Sequence, residues 1–227
     1  MNINYETNNV VQISGTIIEP LTFSHNVLGE GFYESKIKTK RLSGEYDILP
    51  ITISERLSNN ISVGENVSIV GQFRSYNKQE ADKNRLMLTI FVREIVCKED
   101  FEPQNCINLV GYICKEPIYR TTPFGREIAD ILLAVNRAYN KSDYIPCIAW
   151  GRNARFVSDL QVGEKIEIIG RVQSRNYQKK TETEIINKTA YEISISSIRI
   201  AQEEFAKSQG IISEPRYSNE SASSIAQ

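Results

Sequence analysis

One pattern of about 95 residues occurs twice in this chain of 227 residues. Glycine and proline residues recur at a spacing of 96 residues early in the pattern and 99 later: Gly15 with Gly111, Pro50 with Pro146, Gly64 with Gly163 and Gly71 with Gly170. Because the two copies account for nearly the whole chain, they predict two similar domains.

The repeat divides the chain into three segments. We predict an N-terminal domain over 1–101, a second domain over 102–201 and a tail over 202–227. The polar stretch 98–105, which contains Pro103, is typical of a short linker. The tail has few apolar residues to anchor it, so it is predicted to be disordered.

The local pattern in the second copy is mostly that of strands. β-branched or aromatic residues bounded by turn residues predict five strands, over 106–114, 126–136, 143–150, 163–173 and 189–200. One helix is predicted over 152–160, between the third and fourth strands. This order is that of an OB-fold, so the predicted class is all-β with two tandem OB-folds, each a five-stranded Greek-key barrel with that short helix.

Composition and cysteine usage exclude several classes. No apolar run approaches the ~20 residues needed to span a bilayer, and the first residues lack a secretory signal, so we expect a cytoplasmic protein. The four cysteines, at positions 97, 106, 114 and 147, show no CxxC spacing, and His25 is the only histidine. Buried free thiols are favoured, and no metal or cofactor is predicted.

Charge is distributed unevenly along the chain. Residues 1–104 hold 11 basic and 14 acidic side chains, whereas 105–201 hold 14 basic and 10 acidic ones. The resulting net charge of +4 on the second half favours a polyanionic partner. A chance imbalance remains open, because the excess is modest.

The fourth predicted strand of the second copy carries the clearest binding pattern. Its core face holds isoleucine and valine, and its other face holds Arg171, Gln173, Arg175 and Tyr177. Guanidinium groups for phosphates and flat rings for bases are what single-stranded nucleic acid requires.

The third predicted strand ends in the only tryptophan. Tyr144 and Trp150 lie on one face, and Ile145, Cys147 and Ala149 lie on the small apolar face. For a single ring, a core position and a stacking position remain open, but several rings interleaved with arginines favour stacking. The predicted DNA-binding residues are Arg120, Arg126, Arg137, Tyr139, Tyr144, Trp150, Arg152, Arg171, Arg175 and Tyr177.

The second copy resembles the bacterial single-stranded DNA-binding protein family. The resemblance rests on "NLVGYICKEPIYRTTPFGREIADILLAVNR", "IPCIAWGRNA", "GEKIEIIGRVQSRNY" and "YEISI". It implies base stacking on Tyr139, Tyr144, Trp150 and Tyr177, with Arg120 and Arg175 near the DNA path. It also implies a nucleoid-associated protein that binds and protects single-stranded DNA without sequence specificity in replication, recombination or repair.

Two departures from the family affect the expected partners. The chain ends "NESASSIAQ", without the acidic tail closing in Ile-Pro-Phe that recruits replication and repair proteins in the family. It also has two predicted barrels where the family usually has one and forms a tetramer. The simplest inference is a homodimer that presents four barrels.

The first copy is expected to bind DNA more weakly. Ile48 and Ser54 stand where the second copy has Tyr144 and Trp150, although Tyr76 is aligned with Tyr177. Its net charge of −3 favours weaker binding or a role mainly in assembly. Its possible contributors are Tyr33, Lys40, Arg41, Tyr46, Arg74 and Tyr76, although a solvated hairpin is the favoured interpretation for Lys40 and Arg41.

The sequence also bears on two other classes of function. No nucleophile, histidine and carboxylate arrangement can be built around His25, so an enzyme is not predicted. An OB-fold protein-interaction module, such as a replication-restart or primosome accessory factor, is the alternative, because a fold alone does not determine function.

Overall fold

The computed structural model describes residues 8–59, 61–80, 83–96, 104–180 and 185–201. The predicted tail over 202–227 and most of the predicted linker lie outside these ranges. The linker's last residue, Asn105, already belongs to a strand.

The two halves contain the same elements in the same order. The first half consists of β1 (Asn9–Ile17), β2 (Thr22–Val27), β3 (Glu30–Lys40), β4 (Tyr46–Ser54), α1 (Glu55–Ser58), β5 (Asn66–Glu80) and β6 (Lys83–Val96). The second consists of β7 (Asn105–Ile113), β8 (Ile118–Thr121), β9 (Glu127–Arg137), β10 (Lys141–Trp150), α2 (Arg152–Ser158), β11 (Lys165–Lys180) and β12 (Ile185–Ile200).

Each half closes into a five-stranded barrel. In the first barrel β1 pairs with β3, β3 with β4, β4 with β6, β6 with β5, and β5 with β1 again. The second barrel closes in the same way through β7, β9, β10, β12 and β11. The short helix lies between the third and fourth barrel strands, so the predicted OB-fold is confirmed.

Three parts of the strand prediction differ from the structure. β2 and β8 were not predicted; β2 pairs with the barrel strand β3 and β8 with the barrel strand β9, and the residues of both are nearly all exposed. β11 continues to Lys180 and β12 starts at Ile185, because beyond the barrel they form a two-stranded ribbon. Alternation in hydrophobicity cannot reveal strands that bury neither face.

One matched pair of glycines, Gly71 and Gly170, lies at β-bulges of the barrels. The β5–β6 register shifts between Val70 and Gly71, and the β11–β12 register shifts at the equivalent position before Gly170. A Cβ atom at either glycine would overlap a carbonyl oxygen of the paired strand. These bulges correct one alignment, since Tyr76 is equivalent to Arg175, and Lys78 is equivalent to Tyr177.

The two barrels are joined through their first strands. β1 and β7 pair antiparallel, with Val11 opposite Ile107, and this pairing produces one twelve-stranded sheet. Both side chains are fully buried, so the apolar core continues from one barrel to the other.

The cysteines do not all lie in the core. Cys147 is buried as predicted, and burial raises the pKa of its thiol. Cys106 is exposed, so the expectation that all the thiols are buried is wrong. Cys97 lies outside the described residues. The described residues form no cluster of metal-ligating side chains, and their helices are too short or too polar to cross a membrane.

Candidate nucleic-acid interface

The outer face of β10 carries two half-exposed rings. Tyr144 is 47% exposed and Trp150 is 40% exposed, whereas Ile145, Cys147 and Ala149 on the opposite face are buried. Tyr144 lies opposite the small Ala134 of β9. Trp150 is therefore not a core residue, and both rings have area available for stacking.

The edge strand β8 extends this face. Arg120 of β8, Ile128 of β9 and Trp150 of β10 are paired in one row across three strands. Arg120 forms an ion pair with Asp130. The tryptophan thus has a guanidinium two strands away on the same face.

The polar residues of β11 divide into two pairs. Tyr177 is 40% exposed, and the Arg175 guanidinium carbon lies 5.8 Å from the centre of its ring. Gln173 is buried and donates to Glu192, and Arg171 donates to Asp47 of the first barrel. Arg175 also forms an ion pair of 3.4 Å with Glu192, although its side chain is 55% exposed. Tyr177 is therefore the exposed ring of this strand, and Arg175 is the exposed cation beside it, already paired with one carboxylate.

Tyr139 stands apart from the strands that carry the other rings. It lies in the turn between β9 and β10, is 93% exposed, and has a left-handed backbone with φ of 61°. A non-glycine residue adopts this conformation at an energetic cost, and such strain is often found at functional sites. The turn holds its ring outward into solvent.

The remaining predicted cations differ in their partners. Arg126, at the end of the β8–β9 turn, and Arg152, the first residue of α2, are both exposed. Within the described part of the chain neither is ion-paired with an acidic side chain. They are the most available of the predicted phosphate contacts.

Arg41 and Arg171 hold a buried carboxylate instead of facing solvent. Asp47 is fully buried, and its carboxylate accepts hydrogen bonds from Arg41 Nε at 2.8 Å and Arg171 Nη1 at 3.1 Å. It also accepts from the backbone N–H of Ser174 at 2.7 Å. Asp47 therefore joins β4 of the first barrel to the β11 ribbon of the second.

Arg137 likewise pairs with a buried aspartate at the contact between the two barrels, in this case Asp143 of β10. Asp143 is fully buried and accepts from the backbone N–H of Ser75 at 2.6 Å, and Arg137 Nε lies 3.3 Å from its other oxygen. Burial raises the pKa of Asp143, opposed by the Ser75 hydrogen bond and by Arg137. Both residue pairs follow the sequence repeat, because Asp47 and Asp143 are 96 residues apart and Ser75 and Ser174 are 99 apart. The structure shows that each aspartate bonds to the serine of the other barrel.

The predicted contributors of the first barrel are mostly engaged in local contacts. The Tyr46 ring has Lys38 Nζ 4.2 Å from its centre, and the Tyr76 hydroxyl donates to Glu34. Tyr33 is half-buried, with its ring edge-on to Phe23, and Arg74 lies over Phe91. Lys40 is exposed at the end of β3.

Three residues beside this surface were not predicted. Phe124 is 91% exposed in the β8–β9 turn, and Ile118 is exposed on the face of β8 that carries Arg120. Lys188 lies opposite Tyr177 in the ribbon. The turn sequence "TPFG" contains an aromatic residue that turn geometry does not require. This feature could have indicated Phe124 as a candidate binding residue.

Exposed rings and guanidinium groups on one side of an OB-fold barrel are typical of the class of oligonucleotide-binding OB-fold proteins. Sequence comparison identifies the member of that class. Residues 104–201, which form the second barrel, match the Single-strand binding protein family, so the resemblance seen in the sequence is confirmed.

The similar curated proteins carry the same name. The chain is 40% identical over 83 residues to Single-stranded DNA-binding protein 1 of Staphylococcus aureus (strain COL), which covers 34% of this chain and 50% of that protein. It is 37% identical over 83 residues to Single-stranded DNA-binding protein A of Bacillus subtilis (strain 168), covering 34% and 48%. The chain thus spans about half the length of these relatives.

A solved structure extends the similarity of fold to both barrels. The wild-type single-stranded DNA binding protein from Thermus aquaticus superimposes with a TM-score of 0.68 at 16% identity, over 89% of this chain and 97% of that one. At this identity the likeness establishes the fold, including its two-barrel arrangement.

Proposed function

We propose that this protein binds and protects single-stranded DNA, without sequence specificity, during DNA replication, recombination or repair. Bases stack on the aromatic side chains of the second barrel, and Arg and Lys side chains contact the phosphates. The observation that carries the proposal is the pair of half-exposed rings, Tyr144 and Trp150, on a barrel of the matched family. The proposed role is binding, with no catalytic step and no cofactor, at the nucleoid in the cytoplasm.

Tryptophan fluorescence tests this proposal directly. Because Trp150 is the only tryptophan, the indole emission of the whole protein reports one position. Adding oligo(dT) of ~30 nucleotides is expected to quench the emission saturably, since a base stacks on the half-exposed ring, whereas duplex of equal length binds far more weakly. Absence of binding at low salt would contradict the proposal and favour the protein-interaction module.

Binding is expected to weaken steeply with salt. If roughly four to six phosphates are neutralised on a barrel face, the slope of log K against log salt is about −3 to −4, at ~0.7 per contact. Titrations at several NaCl concentrations measure this slope. A slope near zero would show that arginines do not line the DNA path.

We propose that the protein forms a homodimer with four barrels. The support is the resemblance to a family in which single-barrel chains assemble as tetramers, together with the two barrels in this chain. Light scattering after size-exclusion chromatography is expected to report twice the chain mass of 25.8 kDa. A stable monomer at micromolar concentration would overturn the dimer but leave the DNA-binding proposal intact.

A further inference from the structure

The first barrel has a groove where the second barrel has its tryptophan. Ser54 is the equivalent of Trp150 at the end of the third barrel strand, so no large ring fills this place. The groove measures about 350 Å³, at the lower end of the range for small-molecule sites. Its apolar walls include Phe32, Leu57 and Phe91.

Two arginines meet at one edge of this groove. Arg74 Nη2 and Arg93 Nη2 both donate to Gln72 Oε1, at 2.8 and 3.3 Å. Their guanidinium carbons lie 3.8 and 5.8 Å from the centre of the Phe91 ring. They share a neutral acceptor, and within the described part of the chain neither is ion-paired with a carboxylate.

A third arginine adds to this positive charge. Arg137 of the second barrel is close enough to Arg74 to act on it electrostatically, and its buried Nε has no hydrogen-bond partner of good geometry. Burial, Arg93 and Arg137 together lower the pKa of Arg74 to about 10, opposed by Asp143. Arg74 thus lies near two other guanidinium groups and one carboxylate, Asp143, so an added anion would relieve the repulsion among the three arginines.

We propose that the first barrel holds a nucleotide site of its own, in which Arg93 and Arg74 contact a DNA phosphate and the adjoining base enters the groove beside Phe91. The inference rests on the proposed function and extends it to the half of the chain with net negative charge. Phe91 and Arg93 both line the groove, so the phosphate contact and the base site are adjacent.

The other residues of the groove support a base rather than a second phosphate. Arg56 also lines the groove, but its guanidinium is already paired with Glu30 through bonds of 2.7 and 3.1 Å. The two arginines without a carboxylate partner, Arg74 and Arg93, thus lie beside Phe91, and the groove also offers apolar side chains and a small serine. This arrangement fits one nucleotide unit of a single strand.

The test compares two exposed arginines. Arg93→Gln removes one proposed phosphate contact, so at 0.1 M salt the affinity for oligo(dT) is expected to fall about fivefold and the salt slope to decrease by ~0.7. Arg199→Gln is the control, because Arg199 is exposed and already paired with Glu167. It is expected to change neither quantity.

Cross-linking locates the strand independently of affinity. An oligonucleotide containing 5-iodo-deoxyuridine, irradiated in complex with the full chain, is expected to cross-link to Phe91 or Phe32 as well as to the second barrel. If the wild-type protein binds no oligonucleotide, the proposed function fails. If it binds and quenches Trp150, but Arg93→Gln behaves as wild type and the cross-links map only to the second barrel, the first-barrel site is overturned.

Discussion

Replacing Asp47 with alanine is expected to cost about 3–5 kcal/mol of the free energy of unfolding. Asp47 is fully buried between the barrels, where its carboxylate accepts from the Ser174 N–H and from Arg41 and Arg171. The variant leaves these donors without their acceptor, and both guanidinium groups without their counter-charge. Urea denaturation measures the change.

Asp159→Ala provides the matched control for this loss. Asp159 is an exposed aspartate after the last residue of α2, so the same substitution there is expected to change the free energy of unfolding by less than about 0.5 kcal/mol. Equal stability of the two variants would show that the buried carboxylate does not hold the barrels together.

Replacing both Tyr144 and Trp150 with alanine is expected to reduce affinity for oligo(dT) by about 30-fold to 10⁴-fold. Each ring contributes one stacking contact worth about 1–3 kcal/mol, and about 1.4 kcal/mol corresponds to a factor of ten. Because both rings are half-exposed, their removal leaves no core cavity of the size that a buried aromatic would. Fluorescence anisotropy of labelled oligo(dT) measures the affinity, and thermal melting checks the fold.

Tyr46→Ala combined with Tyr76→Ala is the control in the first barrel. These rings are exposed to a similar degree, at 48% and 41%, but they do not line the groove of the first barrel that contains Ser54. We expect a much smaller loss of affinity. Equal losses in the two double variants would show that the second barrel does not dominate binding.

The part of the site that lies on regular strands could be predicted, but its electrostatics could not. Alternation places Tyr144 and Trp150 on one face of β10 because a strand has a period of two. Arg171 stands on the predicted face of β11, yet its guanidinium meets Asp47, which is 124 residues away in the sequence. An arginine with a distant buried partner cannot be distinguished from an open one by its neighbours in the chain.

In the first barrel too, the sequence indicates individual residues but not which of them come together. The sequence indicates what it lacks, because Ser54 and Ile48 stand where rings stand in the second copy. The grouping of Arg74, Arg93 and Phe91 arises only when β5 and β6 pair and Arg137 approaches from the second barrel. The groove at Ser54 therefore lies beside cations that the sequence pattern does not bring together.

By itself, the sequence determined the repeat, the five strands that close each barrel and the direction in which their side chains point. These properties depend on local periodicity and on glycines at positions where two backbones approach too closely for a side chain. The tertiary structure alone decided which cations remain open, how the barrels are joined and where the two ribbons end. Those outcomes depend on burial and on contacts between residues about 70 to 130 positions apart, whose energies no local pattern records.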